Sequence, residues 1–101
     1  MRPPIVYIMN KSSHDFSGAS EYGRFVFLTD TQVNRFATTN MYRHLTYKLK
    51  NSLEHDYLLV TSLTTLNMVT ACIFVQRHKR LNLLIYRMKD NSYVKRVLMF
   101  N

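Results

Sequence analysis

The chain contains little glycine, proline or cysteine and no tryptophan: two Gly, two Pro and one Cys stand among 101 residues. So few turn-forming residues indicate long helices and strands, and they argue against a disordered chain or a many-turned β-sandwich. The lone Cys72 excludes an intrachain disulfide and a zinc site built from cysteines, and it fits a reducing compartment. Its neighbours Ala71 and Ile73 are apolar, which predicts that Cys72 is buried.

Long apolar runs are also missing. The longest candidate, residues 68–75, is far shorter than the roughly 20 residues that cross a bilayer, so we expect no membrane span. Residues 1–4 lead directly into a short apolar run, and we therefore expect no signal peptide.

Acidic residues are scarce, with six Asp and Glu against 14 Lys and Arg, and the formal net charge is +8. Such a balance favours contact with a polyanion or an acidic partner protein. The densest cations run from Arg77 to Arg80, and we expect them to form a basic patch with the end of a preceding helix. Its members would be Lys48, Lys50, Arg77, Lys79 and Arg80. Cations at helix ends that serve only solubility explain the same pattern.

Apolar patterning predicts five strands, at residues 5–9, 24–28, 57–61, 81–86 and 93–100. It predicts helices at 40–52 and 63–78, and a short helical turn that starts at Ser12 or Ser13 and ends before Gly23. Thr39 or Asn40 is the expected N-cap of the first long helix. The second is apolar on nearly all sides, which predicts packing on more than one side.

Strands that alternate with helices pair in parallel through right-handed crossovers. The sequence therefore predicts a compact α/β domain over residues 1–101, with a largely parallel sheet of about five strands and flanking helices. Asp90-Asn91 predicts a turn, so the last two strands should form an antiparallel hairpin at the sheet edge.

Polar residues follow the first three strands, and in an open parallel sheet ligands bind at those carboxyl ends. We expect a ligand or phosphate site there, formed by Ser12, Ser13, His14, Asp30, Thr61, Ser62 and Thr64. The stretch 57–68, YLLVTSLTTLNM, can cradle an anion at a helix N-terminus or simply cap that helix. It contains no glycine to let backbone approach a phosphate, so we expect Ser62 or Thr64 to act chiefly as the N-cap.

Catalytic candidates at the same strand ends are His14, Asp15 and Asp30, since an imidazole beside a carboxylate can act as a general base. No nucleophile motif surrounds the nearby serines, and loop-forming polar residues explain His14 and Asp15 equally well. No pair of histidines has the i, i+4 spacing of a zinc site, and we expect neither a metal nor a cofactor.

The phrases HDFSGASEYG, RFVFLTD, MYRHL, DYLLVTSLT and RLNLLIYR resemble small proteins encoded by tailed phages. This resemblance implies expression in the cytoplasm of a bacterial host and transfers no activity or catalytic residue. Three hypotheses follow. The leading one is a binding protein for a nucleotide or nucleic-acid phosphate. The second is an interaction or assembly protein that binds an acidic host or viral protein, or a second copy of itself, through the edge hairpin. The third is a small hydrolase or transferase that uses His14.

Overall fold

The computed structural model describes residues 2–11, 14–29 and 34–100. Strands and helices alternate along it, and two short 3₁₀ helices, η1 and η2, join them. The elements are β1 (Ile5–Ile8), η1 (Ser17–Tyr22), β2 (Arg24–Phe27), α1 (Thr38–Lys48), β3 (Tyr57–Leu59), α2 (Thr64–His78), β4 (Arg80–Arg87), η2 (Met88–Asp90) and β5 (Ser92–Met99). The predicted α/β class and the predicted order of elements are confirmed.

The five strands form one sheet in the order β2-β1-β3-β4-β5. The first four run parallel and β5 pairs antiparallel with β4, as the sequence predicts. Every residue of β1 is buried, because the run Ile-Val-Tyr-Ile presents apolar side chains to both faces of the sheet. Asn91 adopts the left-handed conformation, which reverses the chain between β4 and β5.

Helices cover the two faces of the sheet unequally. On one face, α1 and α2 bury Leu45 and Phe74 against Tyr7 of β1. On the other face, Phe16 and the six-residue η1 pack against alternate residues of the same strands, such as Val6 and Ile8. The second layer is therefore thin, and aromatic side chains supply much of it.

The helices begin differently from the predictions. Helix α1 starts at Thr38, after Ala37, so Thr39 and Asn40 lie inside it and are not its N-cap. Helix α2 starts at Thr64, its cap position is Leu63, and no side chain caps it. The predicted capping by Ser62 or Thr64 is wrong, because Thr64 already has helical geometry and Ser62 lies one residue too early.

The outer side of α2 is open. Met68 is 65% exposed and Cys72 is exposed as well, so the predicted burial of Cys72 is wrong. Helix α2 packs on more than one side as predicted, against the sheet and against α1, but not on this one. The sheet and α1 pack against Leu66, Ile73 and Phe74, on the inner side of the helix. An apolar side chain is buried only where another element covers it, and among the described residues none covers this side.

A buried carboxylate fastens the amino end of the sheet. The side chain of Asp56 is fully buried and accepts hydrogen bonds from the backbone N–H groups of Ile5 and Leu53, at 2.9 and 2.8 Å. The guanidinium of Arg2 pairs with both of its oxygens. The chain before β1 is thereby tied to the turn that leads into β3.

Candidate binding site at the strand ends

A cleft of about 610 Å³ opens where β1, β3 and β4 end. After β1 the chain turns to η1 on one face of the sheet, and after β3 it turns to α2 on the other face. The two connections therefore diverge at this point. This is the switch point at which open α/β sheets bind ligands. The lining residues are Asn10, His14, Phe16, Leu59, Val60, Thr61, Ser62, Leu63, Tyr86 and Tyr93.

Rings in mutual contact form one wall of the cleft. The ring of His14 lies 5.0 Å from that of Phe16 and 6.1 Å from that of Tyr86, measured between centroids. The rings of Tyr86 and Tyr93 are 5.5 Å apart. The hydroxyl of Tyr86 donates to Asn91 Oδ1 at 2.7 Å, which fixes the orientation of its ring. The wall is therefore preorganised and offers flat surfaces for a planar ligand.

The loop between β3 and α2 forms the opposite side. Asn67, in the first turn of α2, donates from Nδ2 to the carbonyl of Thr61 at 2.6 Å and accepts from the Thr61 N–H at 3.3 Å. The hydroxyl of Thr61 in turn accepts from the N–H of Leu63 at 3.2 Å. These bonds hold the loop without a side-chain cap on α2, so the positive end of the helix dipole lies beside Ser62.

A smaller groove of about 220 Å³ lies next to the cleft, and Ser62 and Leu63 line both. Its other walls come from the start of α2, from Arg35 and from Met41 of α1. Arg35 therefore stands near the uncapped N-terminus of α2, where its charge and the helix dipole both favour an anion.

The predicted ligand residues fall into three groups. His14, Thr61 and Ser62 line the cleft, and Thr64 lines the adjoining groove. Ser12, Ser13 and Asp30 lie outside the described residues. Residues chosen because they follow the ends of parallel strands, such as His14 and Thr61, thus line one cleft although they are about fifty positions apart in sequence.

The sequence reasoning missed the aromatic part of this site. Tyr86 stands near the carboxyl end of β4, so the rule that selected Thr61 also applies to it. Tyr93 is its cross-strand partner at the start of β5. A search restricted to polar residues selects neither tyrosine, although aromatic rings line most ligand pockets.

Asp15 takes part in a local turn. Its carboxylate accepts the N–H of Ser17 at 2.9 Å, and this hydrogen bond holds the pKa of Asp15 below its usual range. Of the three catalytic candidates, only His14 lines the cleft among the residues described. Within 2–11, 14–29 and 34–100, no three His, Cys, Asp or Glu side chains come together as the ligands of a metal would.

The cations of the predicted basic patch lie at the other end of the sheet, where α1 and α2 finish. Arg77 donates to the carbonyl of Lys50 at 2.6 Å, which links the two helix ends. Arg80 donates to Asn82 Oδ1, and Lys79 ends α2 in the left-handed conformation. Neighbouring His78 has its pKa lowered, first by burial and then by the charge of Arg77. A ligand in the cleft would not reach this end of the molecule.

Fold and cleft together define a small basic α/β protein with a cleft at the carboxyl ends of its parallel strands. The family model for the Phage Pam3 gp32-like protein matches residues 4–99, so the chain belongs to this family. The predicted resemblance to small phage proteins is thereby confirmed. No curated protein and no solved structure matches the chain. In the described part of the chain, no helix has the length and apolarity needed to cross a membrane.

Proposed function

We propose that this protein binds a nucleotide, or the phosphate end of a nucleic acid, in the cleft at the strand ends. One observation supports this most directly: across a single cleft, a wall of aromatic rings faces the loop that leads into the uncapped N-terminus of a long helix. A nucleotide has the matching halves, a planar base and an anionic phosphate.

The base would stack on the ring of Tyr86 or His14, and the phosphate would lie against the loop of Thr61 and Ser62. Since this loop contains no glycine, the phosphate would meet hydroxyl groups and the first amides of α2, without a glycine-rich cradle. Arg35 in the adjoining groove adds positive charge beside the same helix end. The net charge of +8 favours the approach of any such anion.

A ¹H–¹⁵N NMR titration with a nucleoside monophosphate tests the proposal. We expect shifts in the amides of Ser62, Leu63 and Tyr86, weaker binding at high salt, and smaller shifts with the corresponding nucleoside. Tyr86→Ala should weaken binding roughly tenfold, because stacking on one ring contributes about 1–3 kcal/mol. Met88→Ala, at an exposed residue outside the cleft lining, is the matched control. Spectra that do not change on addition of either compound would exclude the proposal.

A second candidate is an interaction or assembly role for the edge strand β5. Among the described residues, β5 pairs with β4 on one side only. Four apolar residues at or just after its end are at least 40% exposed: Val97, Leu98, Met99 and Phe100. Such an edge can add a strand from a second copy or from an acidic host or viral protein, which Lys95 and Arg96 would attract. Light scattering over a concentration series tests self-association. A partner retained from nuclease-treated host lysate, and lost in Leu98→Lys, would support the role.

Catalysis by His14 as a hydrolase or transferase has less support, because the neighbouring carboxylate of Asp15 accepts the N–H of Ser17 in a local turn. Any measured activity that survives His14→Ala removes this assignment. The setting proposed for all three roles is the cytoplasm of an infected bacterium, since the family is a phage family.

A further inference from the structure

We propose that the solvent side of α1 binds single-stranded nucleic acid. We call this surface the α1 face, and its residues are Arg35, Phe36, Arg43, Tyr47 and Lys50. The inference goes beyond the proposed function: of the α1 face only Arg35 borders the groove beside the cleft, and the other four residues line neither. Binding there does not require a ligand in the cleft.

The first observation is two highly exposed aromatic rings, each beside a cation. Phe36 is 79% exposed and Tyr47 is 64% exposed. The guanidinium carbon of Arg35 lies 5.1 Å from the centre of the Phe36 ring, and Lys50 Nζ lies 4.0 Å from the centre of the Tyr47 ring. Exposed rings held beside cations offer a base one surface for stacking and its phosphate a nearby charge.

The second observation is the charge of this part of the chain. Residues 31–53 contain four Lys and Arg and no Asp or Glu, although the whole chain has six acidic residues. Arg77 adds a further cation, because its guanidinium donates to the carbonyl of Lys50. The surface is thus complementary to a polyanion, because this segment has no acidic residue to offset its cations.

Helix geometry places Arg43 and Tyr47 on one side of α1. Met41, Leu45 and Leu49 are buried and mark the inner side of α1. Arg43 and Tyr47 stand four residues apart, one turn along the exposed side, and Lys50 reaches the Tyr47 ring. Phe36 stands just before the helix begins. At 1.5 Å per residue, the eleven residues of α1 span about 16 Å, enough for a short segment of an extended strand.

The alternation of rings and cations favours an unpaired strand over a duplex. A base can stack on an exposed side chain only when its face is free, whereas a duplex would present phosphates alone. An acidic protein would satisfy the cations and leave two large rings without a specific role.

Fluorescence anisotropy with a labelled single-stranded thymidylate oligomer tests the inference. We expect binding that weakens with salt, and a dissociation constant about tenfold higher for each ring removed in Phe36→Ala and Tyr47→Ala. Tyr47→Phe keeps the ring and should bind as the unmodified protein does. Far-UV circular dichroism checks that the variants fold, which we expect since both side chains are exposed.

Two double variants that remove the same charge distinguish binding at the α1 face from general electrostatic attraction to a basic protein. One double variant, Arg43→Ala with Lys50→Ala, removes two exposed cations from the α1 face. The other, Lys89→Ala with Lys95→Ala, removes two exposed cations from the β4–β5 hairpin. The first pair should reduce both affinity and the salt dependence of binding more than the second. Equal losses, or equal affinity for a duplex and for the single strand, would overturn the inference.

Two further outcomes also decide against it. If Tyr86→Ala abolishes oligomer binding while the double variant of Phe36 and Tyr47 binds normally, the strand occupies the cleft and the proposed function stands without the α1 face. If polyglutamate binds the α1 face as tightly as the oligomer does, its partner is an acidic protein. If the unmodified protein binds the oligomer but no nucleotide in the cleft, the proposed function is wrong and the inference about the α1 face stands.

Discussion

Arg2 and Asp56, fifty-four positions apart in the sequence, form a two-point ion pair at the amino end of the sheet. The Nη1–Oδ1 distance is 2.8 Å and the Nη2–Oδ2 distance is 2.6 Å. Burial of Asp56 would by itself raise its pKa. The hydrogen bond from Arg2, with those from the backbone of Leu53 and Ile5, outweighs burial and lowers the pKa below its usual value. This pair joins a residue before β1 to the residue before β3.

Removing Asp56 should destabilise the protein strongly. In Asp56→Ala the N–H groups of Ile5 and Leu53 lose their acceptor and Arg2 loses its partner, so we expect a loss of about 3–5 kcal/mol in the free energy of unfolding. Arg2→Ala keeps both backbone bonds and should lose about 2 kcal/mol. Asp90→Ala, which breaks the exposed pair with Arg87, is the control and should change stability little. Urea unfolding monitored by circular dichroism measures all three. Equal losses for Asp56→Ala and Asp90→Ala would contradict the role given to Asp56.

The half-buried imidazole of His78 should make stability depend on pH. Burial, and then the charge of Arg77, lower the pKa of His78 below its usual value, and its Nε2 lies 2.8 Å from Ser52 Oγ. The contribution of neutral His78 to the free energy of unfolding is complete above the pKa of the unfolded chain, about 6.5. It is lost as pH falls through the folded pKa, because the unfolded chain takes up the proton first. Unfolding curves between about pH 8 and pH 5 should therefore show a steeper loss for the unmodified protein than for His78→Gln. Identical slopes would show that His78 does not titrate differently on folding.

Gly23 stands where no side chain fits. A Cβ at this position would lie 2.4 Å from the carbonyl oxygen of Pro4, so Gly23→Ala must displace one of two paired strand ends. We expect a loss of about 1–3 kcal/mol, typical of forced overpacking. At Gly18 the nearest atom to an added Cβ is Tyr93 Cδ2 at 3.4 Å, so Gly18→Ala should be nearly neutral. Thermal melts of the two variants give the comparison, and a neutral Gly23→Ala would contradict the close approach.

Asn67 should matter for both stability and binding. Asn67→Ala removes two hydrogen bonds to the backbone of Thr61, and we expect a loss of about 1–2 kcal/mol. The loop that carries Ser62 would lose its fixed position, so nucleotide affinity should fall as well. Gln76→Ala, at an exposed site on the same helix, is the control. Nucleotide affinity that is unchanged in Asn67→Ala would mean that the loop does not contact the ligand.

The sequence predicts most of the architecture because the signals for it are local. The apolar run of β1, the alternation of strands and helices, and the Asp90-Asn91 turn each lie within a few residues, and together they lead to the observed sheet. Even Gly23 is correctly expected to end a helical segment, which the structure shows as η1.

The features that the sequence does not predict depend on residues far away along the chain. Cys72 and Met68 are apolar, but only the position of α2 against the sheet and α1 determines that they face outward. The partner of Asp56 is near the start of the chain, and no pattern around residue 56 identifies it. The start of α2 is held by Asn67 and Thr61, where a standard cap was expected.

The unequal lengths of β3 and β4 also determine how the cleft can open. Strand β3 has three residues and β4 has eight, and Val60 N–H to Leu84 O is the last described backbone bond from the β3 side. Beyond Leu84, β5 is the one strand that pairs with the Tyr86 segment among the described residues. Tyr86 and Tyr93, two of the four rings of the aromatic wall, therefore stand on a two-stranded arm that can bend outward without breaking a bond of the four parallel strands. Amide hydrogens of this arm should exchange with solvent sooner than those of β1, and a bound ligand should slow them.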